Sequence, residues 1–355
     1  MSGSVLIMAG GTGGHIFPGL AVAAALRARG DEVHWMGGTY GLEARLVPEA
    51  GLPLHALSVR GLRGQHGLMR LLSPFKLVWA TLQAVWHLSR LKPRVCVGFG
   101  GYPAAPGGVA ARLLRVPLIV HEQNAIAGMT NRVLSRWARR AATAFPNALP
   151  GAQWVGNPVR QGIEALGLSR VAQGHQCDTS IRVLIVGGSQ GARVFNRELP
   201  EILAPLIQRY GITVRHQTGA ALCDAVQAHY AALGVTAQVE AFIHDMVAAY
   251  AQADLVIARS GALTVSELAA AAMPAILVPF PSAVDDHQTR NAQWLVEAGA
   301  AILVPEPEIS TVAAAVERLI LQPEQFTVMS RAARAVATPD AVDQMLTLID
   351  EVAHG

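Results

Sequence analysis

The sequence predicts an α/β protein of two parallel-sheet domains facing a cleft, and three features predict it. Two glycine-rich turns each join an apolar strand to a helix. Val5–Ala9 runs into Gly10-Gly-Thr-Gly-Gly-His15, and Val183–Val186 runs into Gly187-Gly-Ser-Gln-Gly-Ala-Arg193. The turns lie nearly half the chain apart, one near the start of each half. Around them, short apolar runs alternate with helical patterns, as in βαβ units. A chain of 355 residues, 52% of them hydrophobic, can fill two cores.

In the first half, strand 4–9 precedes a helix from about Pro18 to Arg29, stopped by Gly30. Strand 32–36, a helix near 41–50 and a strand near 54–59 follow. Val95-Cys-Val-Gly-Phe-Gly-Gly-Tyr-Pro103 is a second strand–glycine–helix unit, with its helix reaching Leu114. Strand 117–121 then leads into His121-Glu-Gln-Asn124 and a helix over 128–138. Val155-Gly-Asn-Pro-Val-Arg160 reads as the turn into the second domain. That divides the chain into 1–160 and 161–339. Residues 167–180, rich in Gly, Ser and Gln, read as a loop. Strands follow at 182–186, 212–216, 236–240, 254–258, 275–278 and 300–304. Helices are expected near 191–209, 220–233, 245–250, 262–272 and 287–298. The tail is helical over 310–321, 324–336 and 340–353. Pro339 sets off the last segment, 340–355, which is expected to pack back on the first domain.

In such sheets ligands gather at the carboxyl ends of the strands. Gly10–His15, Gly98–Tyr102 and His121–Asn124 all fall there. Glycine lets backbone N–H groups approach an oxyanion, and the helix that follows offers unpaired N–H groups and the positive end of its dipole. A tight turn without a ligand would use the same residues.

Met1–Ser4 has no basic leader, so no signal peptide is expected. The uncharged apolar-rich run Leu268 to Val284 is broken by Pro274, Pro279 and Pro281 and does not read as a membrane span. Three scattered cysteines, Cys96, Cys177 and Cys223, suggest a reducing compartment and no metal cluster. The net charge of +3 hides an asymmetry: residues 1–160 carry 17 Arg and Lys against 5 Asp and Glu, and residues 161–355 carry 11 against 20. A basic first half suits an anionic partner: nucleic acid, phospholipid or a polyphosphate substrate. Arg60-Gly-Leu-Arg-Gly-Gln-His-Gly-Leu-Met-Arg-Leu-Leu72 mixes arginine with leucine, and Ser73-Pro74 opens a helix to about Leu91. On that helix Lys76, Gln83 and Arg90 form a polar stripe among Phe75, Val78, Trp79, Leu82, Val85 and Trp86. It is either a buried helix with one wet edge or a surface that touches an anionic bilayer.

Dinucleotide binding fits poorly. The pattern from Gly11 lacks its third glycine, because Ile16 stands there, and Trp35-Met-Gly-Gly-Thr39 offers no acidic residue after the second strand. No Gly-Lys-Ser/Thr follows either turn, so neither is a P-loop. In Arg259-Ser-Gly-Ala-Leu-Thr-Val-Ser-Glu267 a strand turns at Ser260-Gly261 into a helix. The N–H groups of Ala262, Leu263 and Thr264 can hold a diphosphate or a sugar hydroxyl. Glu267 suits ribose hydroxyls, because a carboxylate only accepts; it could equally complement the helix dipole together with Ser266. Gln288 and Asn291, three apart, share a helix face and could read sugar hydroxyls. Asp285, Asp286 and His287 are adjacent and point differently, and no Asp-x-Asp is present, so no metal is expected. His15 either takes a hydroxyl proton near neutral pH or serves as a cap.

These segments together resemble the MurG family of bacterial N-acetylglucosamine transferases in peptidoglycan synthesis. The resemblance rests on Gly10–Pro18, Gly100–Tyr102, His121–Asn124, Gly156–Arg160, Gly187–Ala192 and Arg259–Glu267, and runs from about residue 4 to 350. It implies a GT-B fold, two Rossmann-like domains with the active site between them. It implies inverting transfer from UDP-N-acetylglucosamine to the 4-hydroxyl of lipid I, giving lipid II. It implies that the second domain holds UDP: Ser189 at a phosphate, Arg160 and the Ile243 backbone at uracil, Glu267 at ribose. Thr12, Gly13, Gly14, Asn124, Gln288, Asn291 and the run Ala262, Leu263, Thr264, Val265 and Ser266 complete the donor site. His15, as base, with Tyr102 and Glu122, would face the acceptor. No cofactor is implied. The membrane patch would comprise Arg60, Leu62, Arg63, Leu68, Met69, Arg70, Leu72, Phe75, Lys76 and Trp79, on the cytoplasmic face of the inner membrane. Other cell-wall and division proteins are expected partners, and nucleic acid is not. The alternatives are another GT-B transferase with a different UDP-sugar or acceptor, a nucleotide-sugar sensor without turnover, or an oxidoreductase, which the broken fingerprint disfavours.

Overall fold

The computed structural model describes residues 3–58, 73–174, 180–188, 191–283 and 286–354. The chain divides into two compact units, Met1–Val159 with Asp340–Gly355, and Arg160–Pro339.

The first unit is built on a seven-stranded parallel sheet of order β3-β2-β1-β4-β5-β6-β7. Its strands are β1 (Val5–Ala9), β2 (Val33–Gly38), β3 (Leu54–Leu57), β4 (Val95–Gly100), β5 (Leu118–Glu122), β6 (Arg140–Thr143) and β7 (Gln153–Trp154). β1 is buried along its whole length, as a central strand covered on both faces must be. One face carries the helices Gly13–Ala28 and Ala341–His354, which bury Val22, Leu26, Met345 and Ile349 against Ile7 and Trp35. The Arg29 guanidinium forks onto both Asp350 oxygens at 2.7 Å and fastens the last helix. The other face carries Ser73–Leu91, Ala104–Leu113 and Met129–Leu134, which pack Leu88, Ala110 and Leu134 with Leu6 and Met8.

The second unit has six parallel strands in the order β10-β9-β8-β11-β12-β13. They are β8 (Arg182–Val186), β9 (Thr213–Gln217), β10 (Gln238–Glu240), β11 (Leu255–Ala258), β12 (Ala275–Leu277) and β13 (Ala301–Leu303). Its core joins Val183, Ile185, Ile257 and Ile276 to Phe195, Leu199 and Phe326 from the covering helices. Winding reverses between β1 and β4 in one sheet and between β8 and β11 in the other. That reversal splays the loops apart and leaves a crevice at the strand ends. The four glycine-bearing turns singled out in the sequence follow these four strands.

Four local differences have physical causes. The first helix begins at Gly13, not near Pro18, because Gly13 and Gly14 take helical backbone and Pro18 is accommodated inside the helix. β6 and the edge strand β7 have no clear apolar alternation to betray them. Part of the expected loop 167–180 is the helix Ile163–Gln173, with Gly167 inside it. A Cβ on Gly167 would lie 1.9 Å from the Ala270 carbonyl oxygen, so this glycine marks close packing and not a break. The helix Ser73–Leu91 is not buried with one wet edge. It buries Ala80, Ala84 and Leu88, at four-residue spacing, and exposes Phe75, Val78, Trp79, Leu82 and Trp86. No described helix is long and apolar enough to cross a membrane.

Candidate active site

In the first unit, the turn after β1 is held from below by a residue the sequence did not single out. Glu43, fully buried, accepts from the Gly11 N–H at 3.0 Å through Oε2, and from the Gly38 N–H at 3.0 Å through Oε1. The Tyr102 hydroxyl donates to the same Oε1 at 2.7 Å. A Cβ on Gly10, Gly38 or Gly41 would come within 2.9 Å of this carboxylate. The glycines therefore make room for a buried carboxylate. Burial, aided by Glu43, pushes the Tyr102 phenol well above its ordinary range. Tyr102 stays protonated and is committed to Glu43. The one hint in the sequence was an acidic residue in a basic half, a few positions beyond where a dinucleotide fold would carry its own.

Above that turn no side chain caps the helix Gly13–Ala28, whose N-cap is Thr12. His15, in its first turn, is half-exposed and meets Gln123 Oε1 through Nδ1 at 2.8 Å. Gly100, with φ +101°, lies against the same ring nitrogen and leaves space for it. Gln123 follows β5 and is buried, as is His121 before it. Burial pushes the His121 imidazole down to about 4, so it is neutral. Glu122, also buried, accepts four hydrogen bonds: from Asn124 N and Nδ2 at 2.9 and 3.1 Å, Gly128 N at 3.0 Å and Asn131 Nδ2 at 2.9 Å. Its carboxylate is spent on the loop 122–131, and Asn124 stands beside it, half-exposed.

In the second unit, β11 ends at Ala258 and the helix Ala262–Ala270 starts after Gly261, again without a side-chain cap. The N–H groups of Ala262, Leu263 and Thr264 head this helix. Val265 donates its N–H to the Gly261 carbonyl at 3.0 Å and has a wholly buried side chain; Ser266 turns its hydroxyl back to the Ala262 carbonyl at 2.9 Å. Neither presents a free donor at the helix start, unlike the three residues before them. Glu267 is 2% exposed, ion-paired to Arg160 and hydrogen-bonded by the Tyr250 hydroxyl at 3.2 Å. Burial pushes its carboxyl up, and Arg160 and Tyr250 pull it back. Tyr250 is a second residue the sequence did not single out; nothing in its local pattern distinguishes it from core. Ile243 is buried. Gln288 Oε1 accepts from Phe280 N at 2.9 Å, and the buried Asn291 donates to the Ser260 carbonyl at 3.2 Å. These amides tie the segment after β12 to the turn after β11.

Ser189 lies outside the described residues, as do Arg60, Leu62, Arg63, Leu68, Met69, Arg70 and Leu72. Of the expected membrane patch, Phe75, Lys76 and Trp79 are described and all are exposed. Among the described residues no group of His, Cys, Asp or Glu is placed to hold a metal ion.

Residues 5–143 match the N-terminal domain of glycosyltransferase family 28, and residues 182–345 match its C-terminal domain. With two parallel-sheet units, the class is a GT-B glycosyltransferase. The chain is 49% identical, over 99% of its length and 98% of the relative's, to the UDP-N-acetylglucosamine--N-acetylmuramyl-(pentapeptide) pyrophosphoryl-undecaprenol N-acetylglucosamine transferase of Marinobacter nauticus. It is 48% identical to the protein of the same description from Pseudomonas syringae pv. tomato, over the whole of both chains. The crystal structure of Acinetobacter baumannii MurG superposes with a TM-score of 0.83 at 39% identity, covering 98% of this chain and 99% of that one. The chain belongs to the MurG family of glycosyltransferases.

Proposed function

We propose that the chain transfers N-acetylglucosamine from UDP-N-acetylglucosamine to the C4 hydroxyl of the N-acetylmuramoyl sugar in undecaprenyl-diphosphate-N-acetylmuramoyl-pentapeptide. Near-half identity along the full chain to transferases of that description carries the reading. The chemistry of the two units agrees with it. The acceptor oxygen attacks C1 of the donor sugar, the bond from C1 to the diphosphate oxygen breaks, and the configuration inverts. His15 Nε2 takes the hydroxyl proton. The helix starting at Ala262, with Ser189 and its glycine loop, receives the charge that develops on departing UDP. Each Glu267 oxygen already accepts once and keeps another lone pair for a ribose hydroxyl. Arg160 orients that carboxylate and borders the uracil with the Ile243 backbone. Glu122 and Tyr102 act as positioning residues, since their polar atoms are engaged with the loop 122–131 and with Glu43.

The helix Ser73–Leu91 and the basic segment before it face a lipid surface in this reading. Exposed Phe75, Trp79, Leu82 and Trp86 insert, and Lys76 and Arg90 meet anionic headgroups. An acceptor carried on a polyprenyl chain requires an enzyme at the bilayer, on the cytoplasmic face where UDP-sugars are found.

The test is transfer of labelled N-acetylglucosamine to a short-chain lipid I analogue. The reading expects a single β-1,4-linked product, and loss of about 10²- to 10⁴-fold in turnover for His15→Ala. No product with this acceptor, or near-normal turnover of His15→Ala at saturating substrates, contradicts the reaction or the base respectively.

A further inference from the structure

Three side chains in the first unit form a hydrogen-bonded row whose proton positions are all determined. His121 Nε2 lies 2.8 Å from the Gly156 carbonyl oxygen. A carbonyl only accepts, so Nε2 carries the proton and Nδ1 is left as an acceptor. Gln123 Nε2 lies 3.0 Å from that Nδ1 and 2.9 Å from the His121 carbonyl oxygen. Both are acceptors, and an amide offers two N–H donors for them. The opposite amide orientation would set oxygen against oxygen. Gln123 Oε1 therefore faces His15 Nδ1, at 2.8 Å, and can only accept. His15 must donate through Nδ1, so that in the neutral ring the lone pair is on Nε2.

We infer that Gln123 is the positioning residue that fixes His15 in its Nδ1–H tautomer, with the row anchored at the carbonyls of Gly156 and His121. A histidine base needs an unprotonated nitrogen toward its substrate, and the partner of the other nitrogen decides which one that is. Where a carboxylate does this, it also stabilises the imidazolium. A neutral amide orients the ring without that charge, and its own orientation is locked because Gln123 is 1% exposed. His121 supports the row as a neutral imidazole, and its burial, with 0% exposure, keeps it so. The role at catalysis rests on His15 being the base; the tautomer itself does not.

The experiment is long-range ¹H–¹⁵N spectroscopy of the imidazoles in the full chain, with His15→Ala to assign the signals, beside kinetics of Gln123→Leu. The inference expects a protonated Nδ1 and an unprotonated Nε2 on His15 in the parent. In Gln123→Leu the signals average toward a tautomer mixture, and kcat falls at least about tenfold with KM for UDP-N-acetylglucosamine unchanged. An Nε2–H tautomer or a mixture in the parent overturns the inference, as does a Gln123→Leu chain with unchanged His15 signals. A parent with the expected tautomer and an active His15→Ala would uphold the row and overturn only the choice of base.

Discussion

Glu43 offers its oxygens to two backbone N–H groups and a phenol, and no neutral side chain can do the same. An amide in its place would turn N–H toward N–H at Gly11 or at Gly38. One buried donor then goes unpaired, at a cost of about 1–3 kcal/mol. Glu43→Gln should therefore lower the denaturant midpoint of unfolding and reduce kcat, with the KM for UDP-N-acetylglucosamine unaltered; unchanged stability would contradict the hydrogen-bond pattern. His121 gives a pH dependence. Its folded-state value of about 4 lies below the ordinary 6.5, so between those values the unfolded chain binds the extra proton. This contribution is whole above pH 6.5 and is lost as pH falls toward 4, by up to about 3 kcal/mol. Urea unfolding across that range should show the slope, and a His121→Gln chain should show a shallower one. His15 was legible as a candidate because it ends a glycine-rich turn, and Glu122 and Tyr102 through the resemblance, at strand ends. Their division of labour was not: Tyr102 and His15 meet partners 59 and 108 residues away, and Glu122 is spent on its own loop, within nine residues.

At the scale of elements, period and turn chemistry revealed most strands and helices, because central parallel strands read as unbroken apolar runs. The outward face of Ser73–Leu91 was harder. Its largest side chains point to solvent and its small ones pack, the reverse of an ordinary surface helix. Composition alone cannot tell which apolar stripe is the buried one. An exposed aromatic stripe of this kind marks an interaction surface. Replacing Trp79 and Trp86 by serine should weaken sedimentation with anionic vesicles at least about tenfold, while turnover on a water-soluble acceptor stays near the parent's. Equal vesicle binding would remove this helix from the membrane account. Gly167→Ala tests packing in the second unit. The added Cβ meets the Ala270 carbonyl, and overpacking of this sort costs about 1–3 kcal/mol, to be read as a lowered thermal midpoint.

Over the whole molecule, two units of similar design are built from a chain whose halves carry opposite charge balances, basic in residues 1–160 and acidic in 161–355. Each presents a helix without a side-chain cap at the switch point of its sheet, where a phosphate oxygen or a sugar hydroxyl can be met by backbone N–H groups. This doubling accounts for a transferase that must hold a nucleotide sugar and a lipid diphosphate together, and the paired glycine turns made it readable in the sequence. Which sugar and which acceptor are used was readable only through the resemblance, because backbone N–H groups bind any oxyanion. The decisive measurement is UDP release from UDP-N-acetylglucosamine, with and without the lipid I analogue, beside the same pair of reactions with UDP-galactose. The account predicts release only when N-acetylglucosamine donor and acceptor are both present. Equal release with UDP-galactose, or release that ignores the acceptor, would contradict it.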